Sequence, residues 1–176
     1  MKKFELTSEF VTFLGKTLFR IKALVSFGDV AEGELGGFIE RENNLDQSGD
    51  AWVYGDARVF GNARVYGDAQ VFGNAWVYGD ARVYGDAQVY GDAWVYGNAW
   101  VQNCRDYSAT SCFGSENRTT TFFRTKDGGI SVRCGCFYGT LREFREKVKE
   151  RHGDSRLAKE YLMLADLMEF RLSKDE

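Results

Sequence analysis

The chain has 176 residues, 44% of them apolar, and carries 23 basic and 26 acidic side chains for a formal net charge of −3. That length holds one domain or two small ones with a real core, and the charge leaves no basic footprint for direct nucleic-acid binding. No apolar run reaches the roughly 18 residues of a membrane span, so no membrane partner is expected.

Near the N-terminus, Glu5 and Glu9 fall where a signal peptide needs its apolar core. A cytoplasmic location is therefore expected, with Cys104, Cys112, Cys134 and Cys136 as free thiols. The alternating stretch Thr17-Leu18-Phe19-Arg20-Ile21-Lys22-Ala23-Leu24 predicts a strand. Gly28-Asp29-Val30 and Gly36-Gly37-Phe38-Ile39-Glu40 read as worn copies of the unit that follows. Residues 1–48 are thus assigned as an N-terminal cap holding one degenerate coil, because terminal repeats must close the core against water.

Residues 49–102 repeat Gly-Asp/Asn-Ala-x-Val-aromatic nine times from Gly49, with Gln102 in place of the aromatic in the last unit. The chain has 20 glycines and no proline, against roughly 12 and 9 at average usage; nine of those glycines open these units. In an extended segment alanine and valine point to one side, and Gly-Asp or Gly-Asn supplies the corner. Each unit is a short strand plus a corner that buries its apolar face only by stacking into a solenoid. Residues 61–78 match 79–96 at 15 of 18 positions, so three units make one triangular coil. Stacked coils place like residues in columns about 4.8 Å apart. The variable slot gives Trp52/Gln70/Gln88, Arg58/Trp76/Trp94 and Arg64/Arg82/Trp100; the aromatic slot gives Tyr54/Phe72/Tyr90, Phe60/Tyr78/Tyr96 and Tyr66/Tyr84. Asp50, Asp68 and Asp86 form an acidic column.

Residues 103–176 change period. Thr119 to Thr125 and Ile130 to Phe137 are strand-like and flank Lys126-Asp127-Gly128-Gly129, a hairpin signal. Thr140-Leu141-Arg142-Glu143 is a capping box opening a helix with Leu141, Phe144 and Val148 on one stripe. Gly153 is the expected stop, and Asp154 or Ser155 the cap of a second helix. Leu157, Tyr161, Leu164 and Met168 share a face of that helix; capping the open end of the solenoid and joining two chains as a homodimer both fit so broad an arc. The expected fold is mainly β: a left-handed hexapeptide β-solenoid with triangular coils and a small C-terminal α+β module of one hairpin and two helices.

The head, Thr17 to Leu24 followed by Gly33-Glu34-Leu35-Gly36-Gly37-Phe38-Ile39-Glu40 and Asn44-Leu45, resembles a family of hexapeptide-repeat proteins encoded by bacteriophages and prophages. The tail is similar to a module seen with them, through Gly114-Ser115-Glu116-Asn117-Arg118-Thr119-Thr120-Thr121, Cys134-Gly135-Cys136-Phe137 and Gly139-Thr140-Leu141. The resemblance implies a β-helix with an α+β tail and a mobile-element origin. It carries over no catalytic residue.

Hexapeptide acyltransferases share this periodicity but use a histidine and a loop excursion. Here the nine units run without insertion and the single histidine, His152, lies in the tail at an expected helix end, where a partly charged imidazole suits the dipole. Cys134 and Cys136 are separated by one residue, closer than structural zinc spacing, and burial as small apolar side chains is the preferred reading. The Asp/Asn corners lack the nonapeptide pattern of calcium-binding β-rolls and are expected to cap their own turns. No catalytic residue, metal or cofactor is therefore assigned. The free variable slots hold Trp, Arg and Gln, and Trp and Arg are enriched at interface hot spots. Trp52, Arg58, Arg64, Trp76, Arg82, Trp94 and Trp100 are the candidate partner-binding residues; the Tyr/Phe columns are expected to stabilise the coil by stacking.

The leading expectation is a non-enzymatic protein-binding module. With the phage resemblance it sharpens to an inhibitor of a bacterial defence effector, such as a CRISPR nuclease, acting by occlusion in the host cytoplasm. The alternatives are a small-molecule site between chains, either an acyltransferase or a trap for a nucleotide signal lined by Arg58, Arg64 or Arg82, and a self-assembling structural solenoid.

Overall fold

The computed structural model describes residues 2–173, and the chain divides into two compact units, Met1–Cys104 and Arg105–Glu176. The first unit joins the head and the repeat. Strand β1 (Phe4–Phe13) pairs antiparallel with β2 (Lys16–Ala23) through a turn at Leu14 and Gly15, both at positive φ. Strand β3 (Leu35–Ile39) runs antiparallel to β2 on one edge and parallel to the solenoid on the other, Phe38 opposite Arg58. The head is therefore continuous with one face of the prism. The expected strand from Thr17 to Leu24 is present as β2, whereas β1 was not read from the sequence.

Nine two-residue strands follow: β4 (Trp52–Val53), β5 (Arg58–Val59), β6 (Arg64–Val65), β7 (Gln70–Val71), β8 (Trp76–Val77), β9 (Arg82–Val83), β10 (Gln88–Val89), β11 (Trp94–Val95) and β12 (Trp100–Val101). Each pairs in parallel with the next coil, giving the columns β4-β7-β10, β5-β8-β11 and β6-β9-β12 with Trp52 opposite Gln70, Arg58 opposite Trp76 and Arg64 opposite Arg82. These are the expected columns. Alanine and valine of every unit are buried, from Ala51 to Val101, because residues two apart in extended backbone point to the same side, here the axis. The aromatic columns stack along the axis, Phe60 on Tyr78 at 4.9 Å and 3° and Tyr78 on Tyr96 at 4.5 Å and 5°. Two corners differ from expectation. Asn62 donates to Asp80 one coil on (3.1 Å) and Asn74 to Asp92 (3.2 Å), so an amide beneath a carboxylate adds a rung to the ladder where a local turn cap had been expected.

The direction of the ladder dictates how the first coil must be closed. Each coil donates its N–H groups to the next, as in Arg58 N to Ala75 O at 2.9 Å, which leaves the carbonyls of the first coil without a donor. Buried carbonyls must find one, and the head supplies them face by face. Phe38 N and Glu40 N donate to Ala57 O and Val59 O (2.9 and 3.1 Å), and Asp46 N donates to Val65 O (2.9 Å). The Asn44 amide donates to Gly61 O and Ala63 O (3.1 and 2.9 Å). On the remaining face the Lys3 ammonium donates to Gly49 O and Ala51 O (3.2 and 2.8 Å). Leu45 bridges Val65 in parallel, so the head does form a fourth, irregular turn.

Burial pushes the Lys3 ammonium down to about 8, against the opposing pull of Asp46 and Asp50. Its ordinary value is near 10.5, so above pH 8 the unfolded chain holds the proton more often than the folded one. Stability gains with pH wherever the unfolded state binds more protons. The denaturation midpoint is expected to gain from this site between pH 8 and about 10, and the Lys3→Met variant to lack that gain; identical slopes for the two proteins would contradict it.

The second unit is a four-stranded antiparallel meander, β13 (Tyr107–Phe113), β14 (Arg118–Arg124), β15 (Ile130–Cys134) and β16 (Phe137–Thr140), followed by α1 (Leu141–His152) and α2 (Arg156–Leu172). The expected hairpin is β14–β15, and two further strands extend it. Thr140 accepts from Glu143 N while the Glu143 carboxylate accepts from Thr140 N, Gly153 ends α1, and Ser155 caps α2. Tyr161, Leu164, Ala165 and Met168 pack with Phe122, Val132, Phe144 and Val148. The broad apolar arc of α2 is thus used against the sheet and α1 of its own unit. Arg145 fixes the helix pair by ion pairs to Asp166 and Glu169 (2.6 and 2.7 Å).

Candidate protein-binding face

The seven candidate residues lie on three different faces of the prism, so one flat partner meets one column at a time. On the β4-β7-β10 face, Trp52 is fully buried against Phe4 and Phe27, with ring centroids 6.1 and 5.3 Å away. Its slot points outward, but the head folds over it. The expectation that Trp52 is an exposed contact is corrected: it is part of the core.

On the β5-β8-β11 face the hairpin tip intervenes. Phe13 sits edge-on to Trp76 at 4.2 Å, and the Arg58 guanidinium lies over both rings at 4.6 and 5.7 Å. Such cation–π contacts hold a guanidinium in place, and the buried Arg58 Nε has no hydrogen-bond partner. Arg58 is therefore half-buried within the fold. Trp76 stacks on Trp94 at 4.1 Å and 23°, which supports the coil in the manner expected of the Tyr/Phe columns.

The β6-β9-β12 face carries the remaining three. Arg64 is exposed. Arg82 extends along the coil, its Nη1 donating to Asn62 O at 2.9 Å and to Asp80 O and Ala81 O at 3.2 Å. Trp100 stands edge-on to Tyr84 and donates its indole N–H to the Tyr84 hydroxyl. Leu45 bridges Val65, so Asn44 is the residue that lies in register with Arg64, and Arg41 sits beside the column at the corner, its guanidinium bonding Gly61 O and Asn62 Oδ1 (2.6 and 2.8 Å). Arg41, Asn44, Asn62 and Arg64 line an open depression of about 370 Å³. Arg41 was missed because it lies in the irregular turn, outside the six-residue spacing.

The tail cysteines also depart from expectation. Strand β15 ends at Cys134, and Gly135 at positive φ turns the chain, so Cys134 and Cys136 do not share a strand face. Cys134 is half-buried and accepts from Thr120 Oγ1 at 3.2 Å, while Cys136 and Cys112 are exposed. Among the described residues no group of three or more His, Cys, Asp or Glu side chains is arranged to hold a metal. No helix is long and apolar enough to cross a membrane. On α2, Met163, Leu167 and Phe170 form an exposed stripe, the surface that pairing of two chains through this helix would use.

Stacked parallel coils of 18 residues, three strands to the coil, define a β-solenoid. The family described as the YdcK beta solenoid repeat matches residues 51–67, 57–73, 69–85, 75–91 and 87–103, so the repeat segment is similar to that family and the head and the tail lie outside the match. No curated protein matches the chain.

Proposed function

We propose that the chain is a non-enzymatic binding protein that presents its β6-β9-β12 face, with Arg41, Arg64, Arg82 and Trp100, to a protein partner. The observation that carries this reading is the arginine column itself. Among the described residues no ring of the N-terminal hairpin lies over Arg64 or Arg82, and the backbone ladder holds the two in register with each other, so their spacing is set before a partner arrives. The uninterrupted units support a scaffold over a cleft enzyme; of the three arginines of the small-molecule reading, Arg58 and Arg82 are engaged within the fold, and Arg64, beside the open depression, is where that reading still stands. The sharpest form of the proposal rests on the resemblance of head and tail to phage-encoded proteins: the face occludes a bacterial defence effector such as a CRISPR nuclease, in the host cytoplasm.

Arg64→Glu is the test, since among the described residues its guanidinium makes no bond that the coil needs. The purified chain is expected to inhibit target cleavage by an RNA-guided nuclease of its bacterial host, and Arg64→Glu to raise the concentration required by about thirtyfold, the equivalent of a 2 kcal/mol hot spot. Equal inhibition by both proteins would remove the face. Loss of inhibition only with substitutions elsewhere would move the contact, and absence of inhibition by the parent chain would end the defence reading.

A further inference from the structure

We propose that the C-terminal unit contains a binding site for a small aromatic anion, a mono- or bicyclic ring bearing a carboxylate or phosphate. The site is a cavity of about 490 Å³ bounded by the loop after β13, the turn between β15 and β16, and the facing sides of α1 and α2. That volume is in the range of small-ligand pockets, roughly 300–1,000 Å³.

The walls are aromatic and held rigid by one another. Phe113 and Phe144 each stand edge-on to Tyr161 at 5.8 Å, Phe137 packs on Phe144 at 5.6 Å, and the His152 ring lies nearly parallel to Tyr161 at 5.7 Å and 26°. A pocket built from such rings favours a flat, polarisable guest that continues the edge-to-face and offset contacts. The Tyr161 side chain is only 5% exposed. Its hydroxyl accepts the Ser115 N–H at 3.0 Å, and among the described residues its own proton has no acceptor. A buried donor without an acceptor is costly, and a ligand oxygen would satisfy it.

The charge around the opening selects the guest's other end. Arg118, Lys147 and Arg151 line the cavity together with a single carboxylate, Glu116. Lys147 is engaged by Glu150 at 2.9 Å and Arg118 approaches Glu116 at 3.9 Å, while among the described residues Arg151 has no ion pair. An unmatched guanidinium beside an apolar cavity suits a carboxylate or phosphate, to which it offers paired N–H donors. Rings below and a free arginine at the rim therefore specify an aromatic anion over a neutral aromatic or an inorganic ion.

The test is calorimetric titration of the full chain with 1-naphthoate, 1-naphthyl phosphate and the neutral 1-naphthalenemethanol. Saturable binding of an anion is expected, with the neutral compound about tenfold weaker or more. Arg151→Ala is expected to erase that preference and leave the neutral compound unaffected, and Arg151→Lys to keep part of it. The tighter of the two anions identifies the head group. Equal affinity for charged and neutral compounds, unchanged anion binding by Arg151→Ala, or no binding at millimolar concentration would each overturn the site. None of these outcomes touches the solenoid reading, which concerns the other unit.

Discussion

Trp52→Ala is expected to lower the stability of the first unit by about 3–5 kcal/mol, the usual cost of deleting a buried tryptophan. The side chain is fully buried, wedged between Phe4 of β1 and Phe27 of the loop before β3. Lys3, which closes the carbonyl edge of the same face, lies over the Phe27 ring at 4.7 Å. Truncation would therefore open a cavity beneath the head and loosen the lysine that caps the first coil. Trp52→Phe should behave quite differently. The Trp52 Nε1 is buried without a hydrogen-bond partner, so phenylalanine removes an unsatisfied donor as it removes area, and the net loss should be about 1 kcal/mol or less. Urea midpoints of the two variants separate these outcomes. If Trp52→Ala unfolded at the parent midpoint and yet lost partner binding, Trp52 would be a contact after all and the packing of the head would be wrong.

That contrast shows where the sequence could be read and where it could not. The columns were legible because 18-residue stacking is arithmetic: once Ala and Val alternate about the axis, Arg58 must lie under Trp76 and Arg64 under Arg82. What covers a column is not arithmetic. Trp52 and Trp100 occupy the same slot of the unit, and one is core while the other is half-buried, because a strand some fifty residues before the first one returns over its face. That strand was hidden for physical reasons. Its pairing shifts register between Leu6 and Phe10, which breaks the two-residue alternation, and its turn places Leu14 at φ 48° where Asn, Asp or Gly would have announced a hairpin. In the C-terminal unit, Thr140, Gly153 and Ser155 were legible because capping is a local hydrogen-bond pattern. The aromatic cavity was not, since Phe113, Phe137, Phe144 and Tyr161 come from four separate elements and no sequence spacing joins them. Arg151 carried only the signal of a basic residue near a helix end, where it also suits the dipole.

Gly49→Ala and Gly91→Ala form a matched pair that should divide the role of the repeat glycine in two. Both residues have nearly the same backbone conformation, φ 67° and 69°, so either alanine meets the left-handed cost of about 1–2 kcal/mol. They differ in what lies next along the axis. A Cβ on Gly49 would sit 2.5 Å from Gly67 O, whereas one on Gly91 would meet nothing within 4 Å. The Gly67 carbonyl is not free to turn aside, because it accepts the Ala51 N–H at 2.8 Å. Relieving the contact requires the two coils to part at that corner, against a spacing fixed by every other rung, and overpacking of this kind costs about 1–3 kcal/mol more. The expected losses are thus about 2–5 kcal/mol for Gly49→Ala and about 1–2 kcal/mol for Gly91→Ala, read as the shift in denaturant midpoint at unchanged slope. Equal losses would mean that the glycine answers only to its own backbone angle and that the corners of the prism can spread. A larger loss at Gly49 would mean that the glycine also sets how closely one coil rests on the next, in which case the spacing of Arg64 and Arg82 on the proposed binding face is held by the corners as well as by the strands.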